Sequence, residues 1–140
     1  MRRVMPSSCC AVLAALLGLA CASWFKPDLP APVGERFEDA WRVYRLSEES
    51  KAMAIAIDDA AGRRVWGYRY GYISQEGANN GALEDCTERA RARGLAARCH
   101  LFAVGNRRSP AAVAACSEGR AQASFCNLMN ELIAPTPTER

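Results

Sequence analysis

His100 is the only histidine in the chain, and it follows one of the seven cysteines, Cys99. An imidazole beside a thiol is the pairing a cysteine nucleophile requires. The surrounding pattern opposes it. Arg98 to Gly105 alternates as a strand, with Cys99, Leu101 and Ala103 on one face and His100, Phe102 and Val104 on the other. Successive strand side chains leave opposite faces, so Cys99 and His100 cannot share a proton there. Carboxylates are the next candidates, as the adjacent pairs Asp58–Asp59 and Glu84–Asp85. Acid and base work needs two carboxylates held across a cleft, which adjacency in sequence does not supply. Asp58 and Asp59 sit where a turn favours Asp, and Glu84 reads as part of a solvated helix face.

Trp66, Tyr68, Tyr70 and Tyr72 alternate along one strand face. Such a row can stack on sugars or hold a partner protein, or it can be covered by helices and form core. Arg89, Arg91, Arg93, Arg98, Arg107 and Arg108 form a second candidate surface, offset along the helix by Glu84 and Glu88. The sequence holds no phosphate-binding loop, nucleophile elbow or metal-binding helix motif. A metal site is disfavoured because no C-x-x-C occurs and His100 stands alone. No cofactor is expected.

The N-terminus has the three parts of an export signal. Arg2 and Arg3 precede an uncharged run from Cys9 to Ala22, and Ala20 and Ala22 form an A-x-A pair. The run is shorter than the roughly 20 residues a membrane-crossing helix needs. The expected cut follows Ala22, giving a signal over 1–22 and a periplasmic or secreted product. The alternative is a lipobox-like cut that would leave Cys21 lipid-anchored. Loss of Arg2 and Arg3 leaves sixteen basic residues against fifteen acidic ones. That near-neutral balance argues against nucleic acid as a partner.

Cys86, Cys99, Cys116 and Cys126 remain after the signal. In an exported chain of this size they read as two disulfides, of which four cysteines allow three arrangements. Sequence order favours Cys86 with Cys99 and Cys116 with Cys126. An unbroken helix would hold the second pair about 15 Å apart, so the helix must break, with Gly119 as the expected place.

The elements that position these residues follow from periodicity. Residues 23–34, with Pro27, Pro30 and Pro32, read as a linker, and 35–134 as a single domain. Glu35 to Leu46 is helical, with Phe37, Ala40, Trp41 and Tyr44 inward. Lys51 to Asp58 is a strand apolar on both faces and therefore buried on both. Arg63 to Tyr72 returns as a second strand, and 98–105 forms a third. Ser74 caps a helix that stops at Gly94, with small residues Ala78, Ala82, Cys86 and Ala90 along its inner side. Ser109 and Pro110 open a helix through Cys116, another piece follows Gly119, and 135–140 is a loose tail. The expectation is an α+β fold. It comprises a three-stranded antiparallel sheet in the order second, first, third, a helix disulfide-linked to it, and a C-terminal helical pair.

The strand from Lys51 to Asp58, the Trp66–Gly67 pair, Ala82, Leu83 and Cys86, and then Cys99, His100 and Leu101 form a pattern. It resembles small exported bacterial domains of unknown function built on an Ala-Leu-x-x-Cys helix and a Cys-x-Leu strand. The likeness spans about residues 51–105 and implies a disulfide-tied α+β unit without assigned chemistry; the C-terminal cysteines lie outside it. The resulting expectation is a non-catalytic binding module, with Trp66, Tyr68, Tyr70 and Tyr72 as contact residues and an unidentified protein or envelope component as partner. The alternative is a small envelope hydrolase using Asp58, Asp59 or Asp85 with His100.

Overall fold

A computed structural model describes residues 36–135. The expected signal over 1–22 with the Cys21 alternative, the linker over 23–34 and residues 136–140 of the tail lie outside the described residues. The chain folds as α1 (Phe37–Leu46), β1 (Ala52–Asp58), β2 (Arg63–Arg69), α2 (Gln75–Ala92), β3 (His100–Val104), β4 (Arg107–Arg108), α3 (Pro110–Ser117) and α4 (Ala123–Leu132).

The sheet is antiparallel with the order β2-β1-β3-β4. β1, apolar on both faces, takes an inner position, as its alternation requires. Two departures from the sequence reading have glycine at their root. The sheet has four strands rather than three, because Gly105 adopts φ +58° and, with Asn106, folds β3 back onto Arg107 and Arg108. β2 stops at Arg69 rather than Tyr72, and Gly71 at φ +68° turns the chain away.

α2 covers one face of the sheet. Ser74 caps it by accepting from the Gly77 N–H at 3.1 Å. At the other end Gly94 reverses the chain, so that the Leu95 N–H reaches the Ala90 carbonyl at 2.8 Å and Leu95 is buried. The small side chains Ala78, Ala82, Cys86 and Ala90 pack against Ala52, Ala54, Ala56 and Val65. Small residues bring the helix axis close, and Gly67 sets the limit. A Cβ there would lie 2.4 Å from the Cys86 nitrogen and 2.7 Å from the Ala82 oxygen. Cys86 is bonded to Cys99 across this interface, with Cα atoms 6.1 Å apart.

α1, α3 and α4 cover the other face around Met53, Ile55, Trp66, Tyr68 and Phe102. Phe37 meets Trp66 edge-on at 5.5 Å, and Trp41 meets Phe102 at 5.8 Å. Tyr44 donates its hydroxyl proton to the Gly105 carbonyl at 2.6 Å. The break expected between Cys116 and Cys126 occurs at Gly119, φ +67°. It brings their Cα atoms to 5.8 Å in the second disulfide. No helix among the described residues is long and apolar enough to cross a membrane.

Candidate functional site

The aromatic row does not form one exposed surface. Trp66 and Tyr68 point under α1 and are 8% and 7% exposed. Tyr70 stacks on Tyr68 at 6.3 Å but is 46% exposed, beyond the last residue of β2. Tyr72, carried past Gly71, packs on the opposite side of the sheet against α2. Strict alternation was legible in the sequence; the reversal that splits the row at Gly71 was not.

What gathers near Tyr70 is a set of residues that periodicity did not single out. Lys51 is buried, and its ammonium donates to the carbonyls of Arg45 at 3.1 Å and Ser47 at 2.9 Å. A cation at these carbonyls satisfies the orphan acceptors at the end of α1 and offsets the negative end of its dipole. The Lys51 carbonyl accepts from the Gln75 side chain at 2.8 Å, and the Tyr72 N–H reaches the Ser50 carbonyl. The end of α1, the start of β1 and the loop after β2 therefore converge on Lys51. From this end project Leu46, 83% exposed, Ile73, 82% exposed, Val43 and Tyr70.

The opposite end of the β1–β2 hairpin holds a groove of about 530 Å³ between the turn and α4. Ile57 and Leu128 supply its apolar lining, and Asp58, Asp59 and Glu131 its carboxylates. Gly62, Arg63, Arg64, Ser124 and Asn127 complete it. Both guanidiniums are committed elsewhere. Arg64 bridges to Glu38 at 3.0 Å and lies over the Phe37 ring, while Arg63 donates to the Arg93 carbonyl at 3.1 Å. Asp58 accepts from the Ala61 N–H at 3.1 Å, the turn role its position suggested. The side chains of Asp59 and Glu131 have no hydrogen-bond or ion-pair partner among the described residues.

The groups expected of a hydrolase are not brought together. Asp58 and Asp59 rim the groove, but Asp85 is buried on α2 between Arg69 at 3.0 Å and Arg89 at 3.1 Å. That buried carboxylate pins the helix to β2. His100 lies on the face away from α2, half-buried beside the Phe125 ring at 5.7 Å. Burial, and then the charges of Arg98 and Arg120, hold its pKa below the usual histidine value. Its neighbour Cys99 is in a disulfide that faces α2. The candidate arginine surface is divided as well. Arg89 serves Asp85, and Arg108 donates to the Ile133 carbonyl at 2.8 Å. No group of three or more His, Cys, Asp or Glu side chains is placed to hold a metal among the described residues.

Comparison of the chain with protein-family models, with curated proteins and with solved structures finds no match in any of the three.

Proposed function

We propose that this chain is an exported, non-catalytic binding module that docks a partner protein of the cell envelope through the apolar end of its sheet. The observation that carries this reading is the exposure of Leu46, Ile73 and Tyr70 around the buried Lys51. Single exposed apolar residues are ordinary, but a group drawn from two segments, the end of α1 and the loop after β2, is the kind of patch that marks an interaction site. Tyr70 adds an aromatic anchor already held in place by its stack on Tyr68. Two disulfides in a chain of this size suit an oxidising compartment.

Photo-crosslinking in the native host tests the proposal on the full chain. A photoreactive residue at position 73 should give one discrete adduct, and one at position 91, on the exposed side of α2, should give none. Leu46→Ser with Tyr70→Ser should abolish the adduct, whereas Asp58→Asn should preserve it. Absence of an adduct at 73, or the same adducts from both positions, would refute the proposal.

A further inference from the structure

We propose that the Cys116–Cys126 bridge is a redox-sensitive latch on α4, opened by an external dithiol while Cys86–Cys99 stays closed. The proposal does not depend on the docking surface. Exchange needs a thiolate to reach one sulfur and the other sulfur to leave as a thiolate, so access and leaving-group stability set its rate. The two bridges differ in both. Cys86 is fully buried inside α2, and a Cβ built on Gly67 would lie 2.4 Å from its backbone nitrogen, so the sheet closes that side of the bridge. Cys116 and Cys126 are both half-buried at the reversal between α3 and α4, and residues 117–120 between them are exposed.

Helix polarity decides which sulfur is attacked. Cys126 is the fourth residue of α4, where the positive end of the helix dipole favours a thiolate; Cys116 is in the last turn of α3, where the negative end opposes one. The incoming thiolate therefore attacks Cys116 Sγ, the S–S bond breaks, and its electron pair leaves on Cys126. The second thiol of the dithiol then displaces Cys116. The dithiol is oxidised to a disulfide, and the bridge gains two electrons and two protons. Cys86, buried among apolar side chains, offers no such leaving group. The bridge secures the start of a helix where Gln122 makes no side-chain capping hydrogen bond, and ten residues are too few for an isolated helix to be stable in water. Phe125, next to Cys126, lies against the rings of Phe102 at 5.6 Å and His100 at 5.7 Å. Opening the bridge frees the turn that holds Phe125 on the sheet and uncovers that face locally.

Graded reduction of the purified chain with dithiothreitol, quenched by iodoacetamide and read by peptide mass mapping, tests the order of opening. Labels should reach Cys116 and Cys126 about tenfold faster than Cys86 and Cys99, from better access and a better leaving group. Hydrogen exchange of the chain reduced at this bridge should rise about a hundredfold in α4, the loss expected on releasing a loop of 10 residues, while α2, β1 and β2 keep their protection. Cys116→Ser with Cys126→Ser should reproduce that exchange pattern without reductant. Equal or earlier labelling of Cys86 and Cys99, or exchange that stays unchanged in α4 or rises throughout the molecule, would overturn the proposal.

Discussion

His100 opens β3 and Cys99 directly precedes it, and their side chains part, His100 to Phe125 and Cys99 to Cys86. That separation was legible in the alternation of residues 98–105, and so was the conversion of Cys99 into a structural sulfur. The environment of His100 was not, since Phe125 arrives from α4 and no spacing rule links them. Its pH behaviour follows from the lowered pKa. A histidine whose folded pKa lies below its unfolded value of 6.5 binds protons more readily in the unfolded chain. Its penalty is absent above the unfolded pKa and grows as pH falls from there toward the folded pKa. Thermal unfolding of the wild type and His100→Gln between pH 7.5 and 5 should show the wild type losing more stability on acidification. Parallel curves would remove His100 as the source.

Among the elements, α2 and its contact with β2 were the most readable. The Ser74 cap, the small-residue stripe and the stop at Gly94 all correspond to strong local signals. The role of Gly67 was hidden, because a glycine inside a strand reads as a weakness until the helix above it is placed. With backbone atoms as the obstacles, no rotamer can make room for a side chain there. Gly67→Ala should cost about 3 kcal/mol or more by forcing α2 off the sheet. Urea denaturation measures it, and a loss under ~1 kcal/mol would show that the helix shifts freely. β4 escaped the reading because two arginines carry no periodicity, although the Gly105–Asn106 pair was a hairpin signal in plain view.

At the largest scale, the described residues form a three-layer sandwich with sulfur on both sides of the sheet: Cys86–Cys99 ties α2 to the start of β3, and Cys116–Cys126 closes α3 on α4. Sequence order favoured these two pairings among three possible arrangements, and they are the two that the fold contains. The loops they close span 13 and 10 residues, each worth about 3 kcal/mol by chain-entropy arithmetic. Against a typical domain stability of roughly 5–15 kcal/mol, their sum is a large share. Reduction of both bridges should therefore lower the urea midpoint substantially, and an unchanged midpoint would mean that the apolar layers suffice alone. What the sequence withheld at this scale was which surfaces remain open, since exposure is settled only when every layer is in place.

The chain has two lysines, and only Lys51 lies among the described residues. Its ammonium is fastened beneath the end of α1, where an acylating reagent cannot reach it while the fold is intact. Modification of this amine requires α1 to lift from the sheet. The side chain that joins those two layers is thus also a chemical gauge of their parting.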